Sequence, residues 1–169
     1  MKHSDDEAER IEGLSCQLNC ESRCIDFLRS AVAVMAERAG MDAHWRNRVT
    51  LAVDELFANI AEHGYRGQPG TIEFSARIES MDTGGRCLSF EFRDYADNAW
   101  RYDETELSAR SAGEPTPGGL GLRLIREVTD EFVQTRLADG SRWRLSFTLQ
   151  GKTAAPEKEQ RRSAGGTDI

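Results

Sequence analysis

Apolar and polar positions along this chain alternate in two different periods, and the switches between them mark out the elements. Ile11–Leu18 places Leu14, Cys16 and Leu18 on one face of a strand. A three-and-four spacing follows, with Ile25, Leu28, Val32, Met35 and Ala36 inward on a helix that runs to about Ala39. Asn19 or Ser22 can cap its start, and Gly40 stops it. Asp42 caps a second helix, Trp45 through Glu62, whose buried stripe is Val49, Ala52, Val53, Leu56 and Ile60. Gly64 ends it, and Tyr65–Gly70 is a turn by composition.

The period then drops to two. Thr71–Glu79 carries Ile72, Phe74, Ala76 and Ile78 on one face, and Cys87–Asp94 carries Leu88, Phe90 and Phe92. Met81–Arg86, with its Gly-Gly pair, is the hairpin turn between them. From Tyr95 to Gly118 the pattern lapses. Leu120–Phe132 predicts a third helix with Leu120, Leu124, Ile125 and Val128 inward. Phe132–Leu137 and Arg142–Leu149 predict a hairpin about Asp139-Gly140, with Trp143, Leu145, Phe147 and Leu149 on its inner face. Short turns make these strand pairs antiparallel. The pattern therefore predicts an α/β two-layer sandwich: a mixed, mostly antiparallel sheet with three helices on one face. One domain spans 11–150, with disorder expected over the polar segments 1–10 and 151–169.

Composition narrows the function classes. At 169 residues the chain can bury a real core. A net charge of −7, without a basic cluster in the folded part, argues against nucleic acid as the main partner. No apolar run is long enough to span a bilayer, and the polar, acidic start MKHSDDEAER is no secretory signal. The expected compartment is the cytoplasm. Cys16, Cys20 and Cys24 repeat every four residues, but they lack the second pair or histidines of a zinc site. Reduced thiols acting as small apolar fillers fit better than a metal or redox cluster.

Three features carry candidate chemistry. Glu55 and Asn59 are four apart on the second helix, stacked on the shoulder of its apolar stripe. They are either solvated or capped by neighbours, or they serve a ligand. Asp94 continues the inward phase of Leu88, Phe90 and Phe92, and an inward carboxylate at a strand end needs a donor. That donor is a local group or a ligand amine, such as the exocyclic amine of adenine. The gap 95–117 is longer than most structureless connections, which are often lids. It ends in Gly118-Gly119-Leu120-Gly121 directly before a helix, where backbone amides can approach an anion closely. It has no P-loop lysine and is not a dinucleotide fingerprint.

In this order, VDELFANIAEHGY, the aspartate of FRDYADN and PGGLGLRLIREVTDEF resemble the GHKL ATPase family. Within it the chain is similar to anti-sigma-factor serine/threonine kinases of the RsbW type, over about Leu14 to Leu149. The resemblance implies the Bergerat ATP-binding fold with ATP and Mg²⁺. It implies Asn59 as the Mg²⁺ ligand, Glu55 as general base toward a serine hydroxyl, and Asp94 as acceptor from adenine. Ala96, Gly118, Gly119, Leu120 and Gly121 would complete the nucleotide site. It further implies a STAS-type antagonist as substrate, a sigma factor or other regulatory protein as second partner, and a homodimer. Where the family has glycine two residues after the aspartate, this chain has Ala96, followed by Asn98 where more glycine is frequent. If residue 96 needs positive φ, alanine costs ~1–2 kcal/mol there. That leaves a second reading, a module of the same fold that sequesters its partner without phosphoryl transfer. A detached histidine-kinase catalytic domain ranks last, since His3, His44 and His63 sit in no separate helical hairpin.

Overall fold

Alternation in five segments builds the sheet, and the helical stripes cover one of its faces. The computed structural model describes residues 12–21, 23–82, 84–97 and 119–149. The expected disordered ends, Ser22, most of the 95–117 lid and Gly118 lie outside these residues.

Strand β1 (Glu12–Asn19) leads to helix α1 (Arg23–Arg38) and helix α2 (Ala43–Asn59). Asp42 caps α2 as its sequence position predicts, its Oδ1 accepting from the Trp45 amide at 2.8 Å. Strands β2 (Thr71–Ser80) and β3 (Arg86–Asp94) follow, then helix α3 (Gly119–Val128) and strands β4 (Glu131–Leu137) and β5 (Gly140–Leu149). The strand order is β1-β2-β3-β5-β4. All four pairings are antiparallel, which corrects the expected mixed sheet: β1 at the edge also runs antiparallel to its neighbour β2.

The inward sides of the strands meet the helical stripes in one core. Phe74, Phe90, Phe92, Leu145 and Phe147 face Leu28, Val32, Val53, Leu56 and Ile125. Aromatic rings cross between strands, with Phe74 and Phe92 centroids 5.0 Å apart and Phe90 and Phe147 6.0 Å apart edge-on. Outward residues such as Glu73, Glu91 and Arg142 leave the far face polar, and Arg142 pairs with Glu91 at 3.2 Å.

Two elements depart from the sequence expectation. The third helix ends at Val128, four residues before Phe132. Thr129 closes it by donating its amide and hydroxyl to the Ile125 carbonyl, and the Asp130 amide turns instead to the Ser146 carbonyl at 3.0 Å. Phe132 then serves as a strand residue, stacked on Trp143. The second helix does not stay α to Glu62. It widens into a π turn over Ile60–Gly64, directly after Asn59. Such turns are rare and recur at functional sites.

The cysteines are free and half-buried, packed at the edge of the core. Burial pushes the Cys20 thiol up from 9.0 to about 11, with the charges of Asp94 and Cys24 adding to it. A raised thiol pKa means less thiolate, the reactive form. At pH 8 in the native protein, Cys20 is expected to react with iodoacetamide ~100-fold more slowly than in the unfolded chain. Peptide mapping after timed labelling measures this, and equal rates would contradict it.

Candidate functional site

The site is built on one strip of α2 and its π extension. Glu55 and Asn59 stand one turn apart, as their spacing requires. Glu55 is half-buried and meets the start of α3. A Cβ on Gly121 would lie 2.2 Å from Glu55 Oε2, so only glycine lets α3 come this close with the carboxylate in place. The amino end of a helix favours negative charge, and here it faces a carboxylate.

Asn59 is only 6% exposed, and its Nδ2 is buried without a hydrogen-bond partner among the described residues. An unpaired buried amide costs ~1–3 kcal/mol, a cost that ligand sites commonly carry. Among the described residues no cluster of three or more His, Cys, Asp or Glu could hold a metal. A preformed metal cage is therefore not what these residues make. The orphan Nδ2 is a donor and suits an acceptor such as a phosphate oxygen. Mg²⁺ would be held by Asn59 Oδ1, since that ion needs only one or two protein oxygens and completes its shell with waters and substrate phosphates.

One turn further on, Gly64 packs on Ala96, where a Cβ at Gly64 would be 3.6 Å from that of Ala96. This joins the helix strip to the end of β3. Asp94 is buried there, 4% exposed, on the inward phase predicted for it. Its Oδ2 accepts from the Trp143 indole Nε1 at 2.6 Å, and its Oδ1 from the Ala96 amide at 3.1 Å. Local donors therefore exist, one of the two alternatives for this carboxylate. They do not exhaust it, because an ionised carboxylate has about four acceptor positions. Gly140, the first residue of β5, closes over the same residue. With φ at +133°, it sits where a Cβ would be 2.1 Å from the Asp94 carbonyl oxygen.

Ala96 corrects an expectation. Arg66 is the only non-glycine residue with positive φ among the described residues. Alanine at 96 therefore carries none of the 1–2 kcal/mol strain that positive φ would impose. Its amide is instead turned onto Asp94. Asn98 lies outside the described residues, as does Gly118. Gly119 and Leu120 open α3 next to Gly121.

Two residues of the site carry no functional signal in the sequence. Tyr65, immediately after the π turn, donates its hydroxyl to the Thr71 carbonyl and accepts the Tyr95 amide at 2.8 Å. Burial, set against the Tyr95 amide bond, leaves its phenol above the usual value, so it stays neutral and able to donate. It thus ties the end of the helix strip to both strand ends beside Asp94. Trp143 was placed inward by its phase. Its bond to Asp94 follows from a long-range register that aligns Phe92 with Trp143.

The described residues thus form one continuous line: Gly121, Glu55, Asn59, Gly64, Ala96, Asp94. One end offers a helix start and a carboxylate, the middle a buried amide, the far end a buried acceptor. The 95–117 lid falls outside the description except for Tyr95, Ala96 and Asp97.

Comparison with known proteins places the chain in a family. A family model described as the histidine kinase-like ATPase domain matches residues 21–147. The chain is similar to the serine-protein kinase RsbW of Bacillus cereus (strain AH187), 25% identical over 131 residues, covering 73% of this chain and 78% of that protein. It is similar to the protein of the same name from Bacillus pumilus (strain SAFR-032), 23% identical over 133 residues with the same coverage. A solved histidine kinase domain, from the blue-light activated histidine kinase EL346 of Erythrobacter litoralis, aligns at 16% identity with a TM-score of 0.40. That alignment covers 74% of this chain and 60% of the solved one.

Proposed function

The chain belongs to the histidine kinase-like ATPase domain family, and from that premise we propose that it is an ATP-dependent protein serine/threonine kinase and anti-sigma factor. Its substrate would be a STAS-type antagonist protein, and its second partner a sigma factor or other regulatory protein. The observation that carries this reading is the α2 strip: Glu55 held against Gly121, with the unpaired buried amide of Asn59 one turn away. Two relatives bearing the name serine-protein kinase point the same way.

Each residue takes a distinct task. Asp94 accepts from the amine of the base. The glycines at the start of α3 let the phosphates approach backbone amides. Asn59 would hold Mg²⁺ through its amide oxygen, and the ion would supply charge neutralisation at the phosphates. Glu55 receives the proton of the partner's serine hydroxyl as its oxygen bonds to the γ-phosphorus and the bond to ADP breaks. Phosphoryl transfer asks little covalent chemistry of the protein and much positioning. The sequestering-module alternative rested on strain at Ala96, and that residue is not strained.

The test is capture of the partner from native lysate, with and without ATP, followed by transfer from γ-labelled ATP. Label on a serine or threonine of the captured partner is expected. A verified partner that stays unlabelled would overturn the kinase reading.

Among the described residues no helix is long and apolar enough to cross a membrane; the cytoplasm is the compartment proposed. A homodimer is also proposed, from the family resemblance of the sequence and the position of β1 at a sheet edge. Light scattering at micromolar concentration is expected to give twice the mass of the chain. The mass of one chain would contradict it.

A further inference from the structure

The carboxylate of Asp94 is held in place by a side chain to which nothing so far assigns a function. We propose that Trp143 is a positioning residue for base recognition, its indole fixing the Asp94 carboxylate as an acceptor aimed at an amino-purine. The inference rests on the nucleotide reading of the site and deepens it, by naming what sets the choice between an amine-bearing and a carbonyl-bearing base.

Four observations carry it. Trp143 Nε1 donates to Asp94 Oδ2 at 2.6 Å, a short, charge-assisted bond between two buried groups. The indole itself cannot readily turn away. It is 1% exposed and stacked on Phe132, with ring centroids 6.1 Å apart and planes 18° from parallel. The other carboxylate oxygen is held by the Ala96 amide at 3.1 Å, so both oxygens are pinned from the protein side. Finally, both pins are donors. A carboxylate that receives two donors is left with acceptor positions only. An exocyclic amine can donate to it, whereas a ring carbonyl at the same position sets acceptor against acceptor.

A tryptophan serving only to fill the core would have no need to aim its N–H at this carboxylate. Buried indoles do seek a partner, and a nearby carbonyl would satisfy that need. Here the partner is the one buried aspartate of the described chain. The link from sequence to specificity is the register: Phe92 pairs with Trp143, which sets the indole beside the residue two positions on from Phe92 along β3.

The test compares ADP with inosine diphosphate, which replaces the amine by a carbonyl, using calorimetry on the full chain with Mg²⁺. Wild type is expected to prefer ADP. Trp143→Phe keeps the ring stack and removes the donor. Its ADP affinity is expected to fall ~10-fold, the scale of one hydrogen bond to a charged group. Inosine diphosphate should bind it as it binds wild type. A role in packing alone would weaken both nucleotides in parallel, and that result would overturn the proposal. So would a Trp143→Phe protein that keeps the ADP preference while Asp94→Asn loses it; in that case the base reading of Asp94 stands without Trp143. If wild type has no ADP preference and Asp94→Asn changes nothing, the base site itself lies elsewhere and the inference falls with it.

Should Trp143→Phe fail to fold, the wild-type indole N–H resonance supplies the answer. Trp45→Phe and Trp100→Phe variants identify which signal is Trp143. That signal is expected to shift on adding ADP and not on adding inosine diphosphate. An indole signal indifferent to ADP would overturn the proposal.

Discussion

Replacing Glu55 by glutamine is expected to abolish phosphoryl transfer while Mg²⁺-ATP and the protein partner still bind. Glutamine keeps the size and shape of glutamate, so the close approach of Gly121 to residue 55 is preserved. What it loses is the ability to take a proton. A positioned general base supplies ~10²–10⁴-fold in rate, so a radiolabel assay with the true partner resolves the loss easily. The partner is required, because its hydroxyl must come within hydrogen-bond reach of residue 55. Transfer at the wild-type rate would remove Glu55 from the mechanism.

Gly121→Ala is expected to cost activity without costing the fold. The added methyl would lie 2.2 Å from Glu55 Oε2 and 3.0 Å from Cδ. The clash is with the end of a flexible, half-buried side chain, so it is relieved by rotating Glu55 away. Alanine is also the better helix former, by up to ~1 kcal/mol, which offsets the cost of that rotation. Stability should therefore stay within ~1 kcal/mol of wild type. Transfer should not, because the carboxylate has moved. Misplacement by an ångström can cost ~10²-fold. The double variant Glu55→Gln, Gly121→Ala should be little slower than Glu55→Gln alone, since both act on one group. A fully active Gly121→Ala protein would separate the start of α3 from the proposed role of Glu55. A melting transition far below wild type would show that the methyl could not be accommodated by Glu55.

What could be read in the sequence was whatever local periodicity dictates. The α2 stripe, the Asp42 cap and the inward phase of Asp94 all follow from spacing within one element, and each stands where expected. The stacked pair Glu55 and Asn59 is legible for the same reason. Features set by distant partners were not legible. The bond from Trp143 to Asp94 joins residues 49 positions apart and depends on the β3–β5 register. The π turn after Asn59 leaves no mark in apolar spacing that an α-helix would not share. The apolar phase of the third helix continues to Phe132, so spacing alone extends the helix past its end at Val128. Only the tertiary pull on Asp130, whose Oδ2 also accepts the Thr148 amide at 2.5 Å, breaks the helix first. The φ of Ala96 has no signature in the sequence beyond the glycine of the family pattern at that place. Here the residue serves as an amide donor to Asp94, which any amino acid but proline can do.

The most direct measurement is calorimetric titration of Mg²⁺-ATP into the purified full chain, repeated with Mg²⁺ chelated. One nucleotide per chain is expected, with affinity falling sharply when Mg²⁺ is removed, because the role proposed for Asn59 is to hold that ion against the phosphates. No binding of Mg²⁺-ATP at millimolar concentration would contradict the account at its centre.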